Sequence, residues 1–311
     1  MTIFLGVDGG GTKTEFVCID DTGRTVARAL TGTTYHLQVG LDEAIARLGQ
    51  GVAAVCSQLS IQASSLTHSF FGLPAFGEDA TIDPQLDAAC GRLLGHGRYR
   101  CDNDMVCGWA GSLACADGIN LVAGTGSIGY GERNGRKARV GGWGEVFSDE
   151  GSAYWIAIQG LNAFTRMSDG RLPIGPLKSI VGQTLGLNTD LDICARVMGE
   201  NGMTRDEIAG LAPTVSQAAE AGDEVAVAIL DQAGSELAQM AQALRRNLEF
   251  ADSETVLLSW SGGVLTKQLA VRNAFLHHLR QLAAYEIIEP RHEPAVGAAL
   301  YAKLLDRAAA E

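Results

Sequence analysis

Long apolar runs are missing from this sequence. No stretch approaches the roughly 20 consecutive apolar residues that a membrane-spanning helix needs, so membrane insertion is not expected. Positive charge is also scarce. Lys and Arg number 24 against 36 Asp and Glu, a formal net charge of −12, and no basic stripe is available to neutralise a phosphate backbone, which argues against a nucleic-acid partner. Cysteine is present but not arranged: Cys18, Cys56, Cys90, Cys101, Cys107, Cys115 and Cys194 form no C-x-x-C pair. That pattern suggests neither a disulfide framework nor a zinc knuckle and fits a reducing compartment. The opening MTIFLGV has no charged n-region and its apolar stretch is brief, so it reads as a first strand, and a cytoplasmic location is expected.

What is present is the composition of a globular protein, 46% hydrophobic and 19% charged, spread over 311 residues. A chain of that length usually exceeds what one hydrophobic core can organise, so two domains are expected. Short apolar runs alternate with longer helical patterns, the mark of an α/β fold. Three strands, TIFLGVDGG, KTEFVCID and TVARALTG, form a meander whose second turn is DDTGR. A helix over 41–59, the strand SFFGL, a helix over 83–95 and the strand RYRCD follow. A second meander starts at INLVAGTGS and turns at RNGR, and helices dominate from 151 to about 249, including TRDEIAGL with Thr204 and Glu207 spaced as a capping box. The strand TVLLSW then leads through SGGV into a helix, YEIIEP is a last strand, and Pro294 suits the first turn of a terminal helix.

The stretch VDGGGTKTEF decides how the function is read. It fails as a P-loop because Thr12, not glycine, precedes Lys13. It fails as a Rossmann fingerprint because Thr14 stands where the third glycine belongs and TKTEFVCID alternates as a strand, not a helix. Gly10 and Gly11 therefore lie in a strand-to-strand turn. Such a turn can bring backbone N–H groups close to an anion, with Thr12 adding a hydroxyl, Lys13 a cation and Asp8 a hard oxygen for hydrated Mg²⁺; alone, it is equally readable as a plain hairpin. Two further glycine turns, AGTGS at 123–127 and SGGV at 261–264, end buried strands in the same manner.

The order and spacing of these three turns resemble the acetate and sugar kinase, Hsp70 and actin superfamily. Within it the chain is similar to the BadF/BadG/BcrA/BcrD ATPase family, most nearly to its N-acetylglucosamine kinases, through VDGGGTKTE, AGTGS, GGWGEVFSDEGSAYWIA, SGGV and EPAVGAAL. The resemblance implies an α/β fold of two ribonuclease H-like (actin/hexokinase-type) domains with an interdomain nucleotide cleft. One domain would span 1–115, completed by a C-terminal helix over about 292–311, and the other 116–291 with a helical insert over about 151–249. It also implies ATP and Mg²⁺ as cofactors, a small-molecule amino sugar as partner, and phosphorylation of the 6-hydroxyl of N-acetylglucosamine; a homodimer is left open.

Residue by residue, the resemblance assigns nucleotide contacts to Gly10, Gly11, Thr12, Lys13, Gly124, Thr125, Gly126, Ser127, Gly262 and Gly263, and the metal to Asp8. Asp104, where a strand passes into a helix, lies 20 residues before Gly124, the spacing of the family's catalytic base. Asp102 is the rival carboxylate, strand alternation putting both on one side, and a plain helix N-cap is the alternative role for Asp104. Sugar contacts fall to Gly142, Trp143, Gly144 and Asp149, with Trp143 read as packing more than stacking and Glu150 and Ser152 as helix caps. In TGTTYHLQVG, Tyr35 stands where the eukaryotic N-acetylglucosamine kinase pattern has asparagine, followed by a matching His36. That departure keeps glucosamine or another amino sugar open as substrate. A more distant alternative is the ATPase activator of an acyl-CoA dehydratase or reductase, which needs cluster-binding cysteines at a spacing not seen here.

Overall fold

The computed structural model describes residues 2–310. Dense internal contacts divide the chain into two units, one running to Gly118 and resuming at Ile288, the other covering Ile119–Ile287.

In the first unit β1 (Ile3–Gly9), β2 (Lys13–Asp20) and β3 (Thr25–Gly32) form an antiparallel meander. β4 (His68–Leu73) and β5 (Tyr99–Asn103) lie parallel to β1, giving the order β3-β2-β1-β4-β5. Parallel neighbours need crossovers. The chain supplies them as α1 (His36–Val39) with α2 (Leu41–Leu59), and as α3 (Asp83–Leu94). β5 passes into α4 (Met105–Leu113). The near-continuous apolar run of β1 is explained by its central place, with both faces covered.

In the second unit β6 (Gly118–Ala123), β7 (Ser127–Arg133) and β8 (Arg136–Gly141) make the second meander. Six helices follow: α5 (Ala153–Ser168), α6 (Pro176–Leu185), α7 (Asp192–Met198), α8 (Arg205–Ala209), α9 (Ala212–Glu220) and α10 (Glu224–Asn247). β9 (Val256–Ser261), α11 (Gly263–Lys267), α12 (Leu269–Leu282) and β10 (Tyr285–Ile287) complete it. The sheet order is β10-β9-β6-β7-β8, with β9 and β10 parallel to β6 and to each other. Counted from each meander outward the two sheets share one topology, which accounts for the echo between the halves of the sequence.

Caps set where the insert helices begin. Thr204 and Glu207 form the expected capping box of α8. Ser152 caps α5 by accepting from Trp155 N at 3.1 Å. Buried Asp223 accepts from Val225 N and Ala226 N with one oxygen and from Leu177 N with the other, so a single carboxylate starts both α10 and α6. α13 (Pro294–Ala310) belongs to the first unit, where it packs on α4 and β1. Glycine permits that approach: a Cβ at Gly6 would overlap the backbone at Ala298–Ala299, and one at Gly297 would overlap Gly111 of α4. Among the described residues no helix is long and apolar enough to cross a membrane.

Candidate active site

Because β1, β4 and β5 are parallel, their C-terminal ends lie along one edge of the first sheet. Asp8, Gly72 and Asp102 stand in register there. Beyond that edge the chain enters the glycine hairpin, the loop 74–82 and, through Asp104, α4. Asp104 has helical dihedrals (φ −62°, ψ −22°), and its side chain makes no capping hydrogen bond. The N-cap role is therefore not the one it performs. Since it has left the strand, alternation does not govern its side chain, contrary to the reading that paired it with Asp102. Asp102 is engaged locally, with Oδ2 3.4 Å from Arg100 and Oδ1 accepting from Asn103 N at 3.0 Å.

The charge of Asp8 acts on Asp104. Burial, then the negative charges of Asp8 and Glu78, raise the Asp104 carboxyl from 3.8 to about 7. Burial also raises Asp8 to about 6, opposed by the neighbouring Cys107 thiol, with Glu15 raising it and Lys13 lowering it. Negative charge beside a half-buried carboxyl is relieved either by a proton or by a cation. Hard oxygen donors in that state suit Mg²⁺, which characteristically takes one or two carboxylates and completes its shell with phosphate and water. Among the described residues no set of three or more His, Cys, Asp or Glu side chains gathers to hold a metal by protein ligands alone.

The hairpin itself is tightly closed by Gly10 N donating to the Lys13 carbonyl at 2.8 Å. Gly11, Thr12 and Lys13 are exposed, and Lys13 Nζ reaches only to 3.9 Å from Glu15. Thr33 Oγ1 donates to the Gly10 carbonyl at 2.7 Å, and the Thr14 and Thr34 hydroxyls are 3.0 Å apart. These bonds strap the segment carrying Tyr35 and His36 to the hairpin. Tyr35 N donates to Thr33 Oγ1 at 3.0 Å. His36 is buried with 7% exposure, and neither ring nitrogen has a hydrogen-bond partner, an arrangement that costs free energy until something supplies one.

In the second unit the turn at Gly124–Ser127 is closed by Gly124 N donating to Gly126 O at 2.9 Å. The first amides of α5 dock on it, Ala153 N to Gly124 O at 2.9 Å and Tyr154 N to Thr125 O at 3.2 Å. Ser127 is buried, and its hydroxyl donates to the Glu150 carbonyl at 2.7 Å. Gly262 has φ +91°, and a Cβ there would overlap Ala123 O. The turns AGTGS and SGGV are thus in direct contact, while the space where side chains at Gly124 and Gly263 would stand is open.

The segment 141–151 turns repeatedly through positive φ, at Gly142 (+69°), Gly144 (+96°) and Asp149 (+61°). Trp143 is 71% exposed, its ring 5.8 Å from the Arg139 guanidinium, so little of it is packed against the rest of the unit. Glu150 makes no cap; its carboxylate accepts from Ser148 Oγ at 3.2 Å. Asp149 is 2% exposed, with Oδ2 2.5 Å from Arg205 Nη2, and Arg205 Nε is 3.2 Å from Glu145. Burial raises the Asp149 carboxyl against the lowering effect of Arg205. A Cβ at Gly126 would come within 2.7 Å of both members of this pair. Arg205 went unnoticed in the sequence because its only local role is in the first turn of a capped helix.

The profile of the BadF/BadG/BcrA/BcrD ATPase family matches residues 5–302. Over 97% of its length the chain is 29% identical to an N-acetylmuramic acid/N-acetylglucosamine kinase of Clostridium acetobutylicum, covering 99% of that protein. It is 27% identical to the N-acetyl-D-glucosamine kinase of Dictyostelium discoideum over 96% of this chain and 97% of the other. A solved structure from Chromobacterium violaceum, described as a candidate N-acetylglucosamine kinase, superposes with a TM-score of 0.69 at 26% identity, covering 97% of this chain and 99% of its own. With two sheets of one topology, glycine turns at the strand ends and a family match running almost from end to end, this chain belongs to the BadF/BadG/BcrA/BcrD ATPase family.

Proposed function

We propose that this protein is an ATP-dependent amino-sugar kinase that phosphorylates the 6-hydroxyl of N-acetylglucosamine. The observation that carries the reading is the pair Asp8 and Asp104, two half-buried carboxylates raised to about 6 and about 7 at the end of one sheet. The names borne by relatives matched over nearly the whole chain support the substrate.

Phosphoryl transfer needs a positioned base, charge neutralisation and little covalent chemistry from the protein. Asp104 is the base: once ionised, its carboxylate accepts the proton of the sugar hydroxyl, and a value near 7 makes that carboxylate a stronger base than an exposed aspartate. Asp8 is the metal-facing carboxylate, and Mg²⁺, when bound with ATP, supplies neutralisation of the phosphate oxygens. Gly10, Gly11, Thr12 and Lys13, together with Gly124, Thr125, Gly126, Ser127, Gly262 and Gly263, are the nucleotide-contacting residues. For Ser127 that contact is through the backbone, because its hydroxyl is held by Glu150. Tyr35, His36, Gly142, Trp143, Gly144 and Asp149 are the sugar-contacting residues, and the unpartnered nitrogens of His36 are the strongest support among them.

The alternative of an electron-transfer activator is disfavoured by where the cysteines sit: Cys101 and Cys107 are buried in the first unit and are not presented as cluster ligands. The test is ADP release with Mg²⁺ across N-acetylglucosamine, glucosamine, N-acetylmannosamine, N-acetylmuramic acid and glucose. Release that depends on N-acetylglucosamine, with product identified as the 6-phosphate, is expected. ADP release independent of every sugar would overturn the kinase reading.

A further inference from the structure

Cys107 is a buried thiol with no part in the chemistry above. It lies in the first turn of α4, its amide donating to the Asp104 carbonyl at 2.9 Å. Its Sγ donates to the Val7 carbonyl at 3.5 Å, next to Asp8, whose carboxyl the thiol lowers against the effect of burial. The sulfur occupies space that exists only because position 72 is glycine: a Cβ on Gly72 would overlap it, and would lie 3.2 Å from Asp104 Cα and 3.3 Å from Val7 O. One fully buried side chain thus touches β1 at Val7, fills the space at Gly72 of β4 and lies on the turn that carries Asp104.

We propose that Cys107 is a positioning residue that ties the end of β1 to the first turn of α4 and so sets the disposition of Asp8 toward Asp104. The inference rests on the kinase reading for what the two carboxylates do, and on geometry for the tie itself. A thiol is a weak donor of large radius. Here both properties are used, the proton toward the Val7 carbonyl and the radius to fill the gap left by Gly72. A donor that holds the strand end carrying a metal-facing carboxylate affects metal affinity as well as turnover, because an Asp8 on a loosened strand end can swing away from the cation.

Three replacements separate the two properties. Cys107→Ser keeps a donor and loses volume, Cys107→Val keeps volume and loses the donor, and Cys107→Ala loses both. Two readouts are taken on each full-length chain: affinity for Mn²⁺ in the presence of ADP, followed by the electron paramagnetic resonance of the free ion without turnover, and kcat at saturating sugar, ATP and Mg²⁺. Cys107→Val and Cys107→Ala are expected to weaken Mn²⁺ binding and lower kcat by about tenfold each, while Cys107→Ser stays within about threefold of the parent chain. If Cys107→Val behaves as the parent and Cys107→Ser is the impaired variant, the residue is packing and the proposal fails; it fails equally if all three bind Mn²⁺ as the parent does. Thermal melts monitor folding, and should Cys107→Ala not fold, the Ser and Val variants decide the matter. Absence of sugar phosphorylation in the parent would overturn the kinase reading separately, leaving the Mn²⁺ series to judge Cys107.

Discussion

Arg205 Nη2 and Asp149 Oδ2 are 2.5 Å apart, although Asp149 is nearly inaccessible and Arg205 is 43% exposed. The pair joins the segment after β8 to the first turn of α8 and lies against Gly126. Removing the arginine leaves a buried carboxylate without its cation, which is more damaging than removing both partners. Arg205→Ala is expected to lower stability by about 1–3 kcal/mol, less than for a fully buried pair because the guanidinium is partly solvated. A double-mutant cycle with Asp149→Asn, read by denaturant unfolding, checks it; additive effects would show that the two side chains are not coupled.

Asp104→Asn is expected to abolish sugar phosphorylation, a loss of at least about a hundredfold, while ADP binding measured by calorimetry stays near that of the parent. In the parent, kcat/KM should rise with pH as Asp104 loses its proton near 7. Substantial activity in the asparagine variant would refute the base assignment.

The same carboxyls give stability a pH dependence whose sign is fixed. Asp8 and Asp104 are raised above the 3.8 of an open chain, so between about pH 4 and 7 the native state holds protons that the unfolded chain has released. Their stabilising contribution is complete below that interval and is lost as pH rises through it. Asp104→Asn removes the penalty and is expected to raise stability at pH 8 by on the order of 2 kcal/mol, with little effect at pH 4. Thermal melts at the two pH values, without Mg²⁺, test this, and equal shifts would contradict it.

At Gly262 two constraints coincide, a φ of +91° and contact with Ala123. Gly262→Ala should separate the turns AGTGS and SGGV, lower stability by roughly 2 kcal/mol and weaken ADP binding. Gly263→Ala, which meets open space, is the control and should leave the melting temperature within a degree or two. Equal losses from both would mean that contact between the turns is not what glycine protects.

His36→Leu separates folding from recognition. A buried imidazole with neither nitrogen satisfied contributes little to stability, so an apolar replacement should leave the melting temperature unchanged or raised. If the imidazole contacts the sugar, KM for N-acetylglucosamine should rise about tenfold, the equivalent of one lost hydrogen bond. An unchanged KM would remove His36 from the sugar site.

The order of strands and helices was readable in advance because it rests on short-range chemistry. Alternation marked β2, Gly and Asn marked the turn of the second meander, and Thr204 with Glu207 marked the start of α8. Asp104 and the three glycine turns were readable for the same reason, since each is a local break in a strand pattern. Asp102 was harder to dismiss, because whether the chain had left the strand by position 104 depends on one residue's dihedrals. The exposure of Trp143 is not legible from its residue type, since a tryptophan is usually largely buried, and it stands between two positive-φ glycines that only the fold reveals.

By itself the sequence determined two meanders of one topology, the glycine turns that end their strands and the carboxylate at the strand-to-helix junction, all consequences of residues within a few positions of one another. Only the tertiary structure decided that the charge of Asp8 acts on Asp104, that Cys107 and Gly72 interlock beside them, and that Arg205 neutralises Asp149. The physical reason is that desolvation and charge pairing depend on everything packed around a group, and the partners here are brought together by strand register and crossover helices from positions far apart in the chain.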